Sequence, residues 1–355
     1  MPSDGGRMIS REVRVGPKRV GPDSPVFIIV EIGATHGGQV ETALRLVDAA
    51  AKSGVDAVKL QTIWADESYV PDTPSHDVFK TLWLTLEELK RIKRACEDQG
   101  LVLFSTPGDP VGLDMVLQLG VPLLKISSGL MTNLPFVERC AATGLPLVIS
   151  SGMSYLPEVE RTVQTATGAG CEELMLMHCV SLYPAPPQTL NLAAMRTLAA
   201  AFPCPVGYSD HYDGITAAVA ATALGARLLE KHFTLDRNQF GPDHSFSADP
   251  VQMRELVDAV RAAERMVGVA EKAPDPAERP GRELYRRCLV ARRPIAAGEV
   301  ITLEAVGLKR PRPGNQGLAP ECLEQVVGRR AARDIAQHES LTAEMVDMIA
   351  VGSRA

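Results

Sequence analysis

Eight times between residues 26 and 234 the chain writes a short apolar, β-branched run that ends in polar or small residues. The runs are VFIIVEIG (26–33), AVKLQT (57–62), LVLFSTP (101–107), LLKISSG (123–129), PLVISSG (146–152), LMLMHCV (174–180), PVGYSD (205–210) and RLLEKHFT (227–234). Amphipathic patterns lie between them, such as VETALRLVDAAAKSG (40–54), TLEELKRIKRACEDQG (85–100), LPEVERTVQTATGAG (156–170) and NLAAMRTLAAAF (191–202). Thr85, three residues before Glu88, is a capping box, and Gly100 closes that helix. Most strand starts are one βα unit apart. Eight such units predict an α/β chain folded as a parallel (β/α)8 TIM barrel rather than an open doubly wound sheet. No GxGxxG loop follows a strand, which removes the main signal for a dinucleotide fold.

Residues 1–24 read as an N-terminal arm or an added strand, and 25–270 as the barrel, closed by the helix PVQMRELVDAVRAAERMVG (250–268). EKAPDPAERPG, Pro-rich and charged, begins a linker over 271–284, and a small domain of short strands and tight turns spans 285–355. One spacing is long: residues 63–84, after the second strand, read as a loop carrying aromatic and acidic residues, a lid or sugar contact.

Net charge is −6, which argues against sequence-independent nucleic-acid binding. Local Arg pairs at 292–293 and 329–330 read as solvated faces. Seven scattered cysteines contain no CxxC pair and read as buried reduced thiols, which fits a cytoplasmic protein. No apolar run approaches eighteen residues, so no membrane span is expected.

In a barrel of this kind the chemistry gathers at the C-terminal ends of the strands. His211 and His232 close neighbouring strands there, with Asp210, Glu230 and Asp243 nearby, which points to a divalent metal site with open positions. The alternative is that each histidine caps its strand. Lys59, Lys125, hydroxyls at Ser128, Ser150, Ser181 and Ser209, and two SSG turns describe an oxyanion site for a phosphate or phospho-carboxylate. The alternative there is that lysines and serines satisfy one another.

These residues sit in stretches that resemble the sialic acid (nonulosonate) synthases: VEIGATHGG (30–38), DAVKLQT (56–62), LLKISSGLMTNLP (123–135), VISSGM (148–153), HCVSLYP (178–184), VGYSDH (206–211), EKHFTLD (230–236) and GPDHSFSADP (241–250). GEVIT and KRPRPGNQGL are similar to the C-terminal antifreeze-like (SAF) domain of that family. The resemblance implies condensation of phosphoenolpyruvate with the open-chain aldehyde of an N-acyl hexosamine, typically N-acetylmannosamine. Mn2+ or Mg2+ on His211 and His232 would polarise the aldehyde oxygen, C3 of phosphoenolpyruvate would attack, water would add at C2, and phosphate would leave with C–O cleavage. It further implies phosphoenolpyruvate contacts at Lys59, Lys125, Ser128, Ser150, Ser181 and Ser209. Gln61, Tyr183 and Asp243 would face the sugar or reacting centre, and Glu31 would handle protons. In a homodimer, the small domain would place Arg312 on the other subunit's sugar. Four positions depart from the family pattern: Thr35, Gly38, Leu130 (in place of an acid expected on sugar hydroxyls) and Val180. The resemblance therefore leaves open a different aldose acceptor, or a non-catalytic sugar-acid binding paralogue. The Arg-rich tail lacks the flat threonine array that an ice-binding surface would need.

Overall fold

A computed structural model describes residues 9–346. The described residues divide into two compact units, one ending at Gly268 and the other beginning at Val269. The first begins with an antiparallel hairpin, β1 (Val13–Val15) and β2 (Lys18–Val20). Val13, Val15 and Val20 are fully buried and belong to the same apolar core as the barrel strands, so this part of the expected arm is integral to the unit. Asp56 ties it down: its carboxylate meets Lys18 at 2.6 Å and Arg261 at 2.9 Å and accepts the Ile28 amide at 2.9 Å.

Eight parallel strands then close into a barrel. They are β3 (Phe27–Glu31), β4 (Ala57–Thr62), β5 (Val102–Pro107), β6 (Leu124–Ile126), β7 (Leu147–Ser150), β8 (Leu174–Cys179), β9 (Val206–Asp210) and β10 (Leu228–His232). Sequence neighbours pair throughout, and β10 returns to β3 with His232 opposite Glu31. The strands read as apolar runs because helices cover their outer face while side chains fill the inside. Helices α1 (Val40–Ser53), α4 (Leu86–Asp98), α5 (Pro110–Leu119), α6 (Leu134–Ala141), α7 (Leu156–Gly168), α8 (Ala194–Ala201), α9 (Thr216–Ala223) and α10 (Pro250–Val267) follow the strands. The capping box of Thr85 and Glu88 opens α4.

Residues 63–84 differ from the expected loop. They hold two short helices, α2 (Ala65–Ser68) and α3 (Pro74–Leu82). Asp109 accepts the Trp64 amide at 2.7 Å and the Ser68 hydroxyl at 2.8 Å, and His76 lies 2.8 Å from Asp66. Trp64 and Trp83 meet edge to face at 4.7 Å, closing the segment on itself.

In the second unit the expected linker also holds a helix, α11 (Arg279–Tyr285), which runs one residue into the domain predicted from 285. Strands β11 (Cys288–Ala291) and β12 (Val306–Lys309) pair antiparallel. Short bridges such as Ile295 with Ile335 extend them around a small core of Leu289, Ile301, Val326 and Leu341. The helix α12 (Leu323–Val326) caps that core.

Candidate active site

The barrel's strand ends surround a cavity of about 430 Å³. Its lining includes Glu31, Lys59, Gln61, Lys125, Ser128, Ser150, Ser181, Tyr183, Ser209, His211, His232 and Asp243, the first-unit residues to which the resemblance gave a role in catalysis, substrate binding or metal binding. Arg312 is exposed on a turn of the second unit, where its carbonyl accepts the Asn315 amide at 2.9 Å.

Strand alternation decides which tips face the cavity. On β10, Glu230 and His232 point in and Lys231 points out. Lys231 pairs with Asp210, its register partner on β9, at 3.0 Å. Asp210 is thereby removed from the expected metal site. Its neighbour Ser209 faces inward and donates to Glu230 at 3.2 Å.

Glu230 is not a metal-side carboxylate either. It lies 2.7 Å from the Lys125 ammonium and 3.3 Å from that of Lys59, and all three side chains are buried. Lys59 also pairs with Glu31 and donates to Thr106 at 3.2 Å. Burial works against every one of these charges, but the opposite charges outweigh it for two of them. Lys125 and Lys59 hold the Glu230 carboxyl far below its usual range, and Glu230 and Glu31 push Lys59 up. Lys125 goes the other way: burial, helped by the Lys59 charge, lowers it although Glu230 opposes the change.

The serine hydroxyls complete the anion site. Ser128 accepts the Gly152 amide at 3.0 Å. Ser150 and Ser181 bury hydroxyl oxygens that meet no hydrogen-bond partner, an unfavourable state for an apolar wall but a ready one for a ligand. Gly152 lies so close that a Cβ there would sit 2.5 Å from the Ser181 oxygen and 2.6 Å from that of Ser128. The expectation that lysines and serines merely satisfy each other therefore fails for Ser150 and Ser181.

The imidazoles of His211 and His232 have ring centroids 5.2 Å apart. His211 Nδ1 is 2.7 Å from the Val180 carbonyl, which can only accept, so Nδ1 carries the proton and Nε2 keeps its lone pair. Burial, and after it the His232 charge, lower the His211 pKa to about 3, which keeps the ring neutral. His232 Nδ1 is buried and lies 3.3 Å from Asp243 without completing a hydrogen bond. Among the described residues no group of three or more His, Cys, Asp or Glu is placed to hold a metal. Two neighbouring imidazoles, His211 with its Nε2 lone pair free and His232 with a buried Nδ1 that completes no hydrogen bond, fit a divalent ion whose other positions are filled by water or substrate.

Sequence reasoning missed part of this wall. Phe246 packs 5.1 Å from His232 and 5.3 Å from Tyr183, whose own ring is 4.1 Å from His211. A single large apolar side chain within GPDHSFSADP was its only signal. Thr106, Cys179 and Met153 also line the cavity, and so do Ile63, Tyr69 and Phe79 from the segment expected to form a lid or sugar contact. None of the four positions that depart from the family pattern does. Leu130 and Val180 pack on the barrel core, Thr35 donates to the Phe233 carbonyl at 2.8 Å, and a Cβ at Gly38 would sit 2.1 Å from the Thr81 carbonyl oxygen.

Comparison with known proteins agrees with this fold. The NeuB family model matches residues 46–272, and a SAF domain matches 286–347. The N,N'-diacetyllegionaminic acid synthase of Legionella pneumophila is 38% identical over 94% of this chain and 98% of its own. The N-acetylneuraminate-9-phosphate synthase of Homo sapiens is 32% identical over 95% and 97%. The crystal structure of the N-acetylneuraminic acid (sialic acid) synthetase from Leptospira borgpetersenii serovar Hardjo-bovis superposes with a TM-score of 0.74, at 33% identity, over 78% of this chain and 96% of that one. With the closed barrel, the strand-end cavity and these matches together, the chain belongs to the NeuB family of acid synthases and carries a SAF domain that follows the barrel in sequence.

Proposed function

We propose that the protein condenses phosphoenolpyruvate with the open-chain aldehyde of an N-acyl hexosamine, releasing phosphate and a nonulosonic acid. One observation carries this reading: two lysines and two partnerless buried serine hydroxyls share a cavity with a pair of imidazoles 5.2 Å apart. The first set suits a phospho-carboxylate and the second a divalent cation. The relatives named as acid synthases support it.

Lys59 and Lys125 would take the donor's negative oxygens, with Ser128, Ser150, Ser181 and Ser209 orienting it. His211 and His232 would hold Mn2+ or Mg2+, which would supply Lewis-acid polarisation of the acceptor aldehyde. Gln61, Tyr183 and Asp243 would position the acceptor. Glu31, beside Lys59, would exchange a proton with the water that adds to C2. We extend the proposal to a cytoplasmic homodimer in which Arg312 of one copy meets the acceptor bound by the other. Light scattering gives the oligomeric state, and Arg312→Ala should raise the acceptor KM and leave the phosphoenolpyruvate KM unchanged.

The test is phosphate release from phosphoenolpyruvate with Mn2+ and a panel of aldoses that includes N-acetylmannosamine. Release that requires both metal and aldose supports the reading. Silence across the panel from protein that binds Mn2+ removes it in favour of a sugar-acid binding role.

A further inference from the structure

The two cavity histidines come from neighbouring strands, yet the ladder between those strands stops just short of them. Its last pair is Lys231 opposite Asp210. His211 is the next residue and lies beyond that ladder, whereas His232 still pairs with Glu31 of β3. His211 is anchored on its other flank. Its Nδ1 is 2.7 Å from the Val180 carbonyl, and its own carbonyl accepts the Ala185 amide at 2.9 Å. Those bonds tie His211 to the segment after β8 and do not reach β10.

Lys231 makes the connection across. Its ammonium has three protons and meets three acceptors: the Asp210 carboxylate at 3.0 Å, the Gly214 carbonyl at 3.0 Å and the Tyr212 carbonyl. The other Asp210 oxygen accepts the Tyr212 amide at 2.9 Å. The turn 210–214 therefore wraps the ammonium of the residue that precedes His232, and His211 lies within the wrapped stretch. Both side chains of the pair are buried. An apolar pair of like volume is often as stable as a buried ion pair, so stability alone does not account for this one. An ammonium held by three fixed acceptors sets a direction and a distance, which an apolar contact does not. Arg237 repeats the tie further out, donating to the Asp213 carboxylate and the Ser245 carbonyl, both at 2.7 Å.

We infer that Lys231 and Asp210 are positioning residues for the metal site. Lys231 points away from the cavity and meets Asp210 behind the barrel wall, so the pair acts through the backbones of His211 and His232. It holds the two imidazoles at their spacing of 5.2 Å between centroids. The inference rests on the reading of those histidines as metal ligands and adds the residues that set how tightly they hold the ion.

The experiment titrates the full-length protein with Mn2+ and follows the free ion by electron paramagnetic resonance. Lys231→Met with Asp210→Leu removes both charges together, so that neither is stranded. Lys231→Gln with Asp210→Asn removes the charges and keeps hydrogen-bonding groups. In the apolar pair the Mn2+ Kd should rise about tenfold to a hundredfold, the usual cost of losing a group that orients a ligand. The Tm without metal should stay within a few degrees of the wild type. The phosphoenolpyruvate Kd without metal should change less than about threefold, because Lys59, Lys125, Ser128, Ser150 and Ser181 sit on other strand ends. The polar pair should recover part of the lost Mn2+ affinity. Where the apolar pair does not fold, the polar pair carries the test, with a Mn2+ Kd at least about threefold above wild type. A folded apolar pair, or failing it a folded polar pair, whose Mn2+ Kd stays within about twofold of wild type overturns the inference and leaves the metal reading standing. A rise matched by an equal loss of phosphoenolpyruvate affinity marks a general loosening and overturns it too. Wild-type protein that binds neither Mn2+ nor Mg2+ overturns both.

Discussion

Glu230→Gln is the sharpest perturbation of this site because one carboxylate holds three partners. Glu230 is 4% exposed and meets Lys125 at 2.7 Å, Lys59 at 3.3 Å and the Ser209 hydroxyl at 3.2 Å. A glutamine keeps the shape and one acceptor oxygen but removes the charge, leaving two buried ammoniums with Glu31 alone. Breaking a buried pair from one side costs about 3–5 kcal/mol. For a domain of this size that corresponds to a Tm lower by roughly 6–20 °C. The pH dependence gives the sign. The folded Glu230 carboxyl titrates below its ordinary 4.5, so its contribution is present above that value and lost as pH falls through the folded pKa. The stability gap between wild type and variant should therefore be full at neutral pH and shrink in acid.

Lys125 adds a functional signature to the same variant. Burial already lowers its pKa, and Glu230 is the group that opposes the fall. Without that carboxylate the ammonium, which is the anion-binding form, should be lost at lower pH than in the wild type. Affinity for phosphoenolpyruvate, read by calorimetry between pH 6 and 9, should fade earlier on the alkaline side. Replacing Glu230 by Leu and Lys125 by Met together should recover much of the stability and none of the binding. A Glu230→Gln protein as stable as the wild type, with an unshifted alkaline limb, would refute this account of the charge cluster.

Three further changes test other parts of the argument. Gly152→Ala forces a methyl to within 2.5 Å of the Ser181 hydroxyl and 2.6 Å of that of Ser128, so the phosphoenolpyruvate KM should rise about tenfold or more while the Tm holds. Asp56→Ala strands Lys18 and Arg261 and the Ile28 amide, and urea unfolding should show a loss of about 2–3 kcal/mol with no change in KM for either substrate. Mn2+ at a hundredfold excess over its Kd should stabilise the wild type by about 2.7 kcal/mol, and His211→Ala or His232→Ala should each abolish that shift. Persistence of the full shift in both variants would place the metal elsewhere.

The barrel was legible because every strand is covered on both faces, which turns it into an unbroken apolar run ending in polar residues. The site was legible for a related reason, since strand ends are where polar residues in such runs must go. The mistakes follow from period two. Asp210 and Lys231 sit at strand tips as His232 and Ser209 do, but one residue out of phase, and they face each other behind the barrel wall. Counting alternation from Glu230 would have found this. Helices α2 and α3 were hidden by polar composition and a proline, and what holds them is tertiary: Asp109 and the Trp64–Trp83 contact. The choice between an arm and an added strand stayed open because each strand of the hairpin is only three residues long, and burial of its valines settles it.

The charge cluster also explains why so many hydroxyls accompany so few cations. Two ammoniums buried without counter-charges would lose their protons and with them the ability to bind an anion. Glu31 and Glu230 prevent that in the empty barrel, but by pairing with the lysines they also cancel much of the attraction an incoming anion would feel. The remaining attraction must come from groups that carry no charge to cancel. Ser150 and Ser181 are such groups, with oxygens buried and unpaired and Ser181 held close to Gly152, so a ligand gains hydrogen bonds there without displacing any. The floor thus keeps its lysines charged through its carboxylates and draws much of its net affinity from its serines. This is why a residue with no side chain, Gly152, is placed to control donor binding.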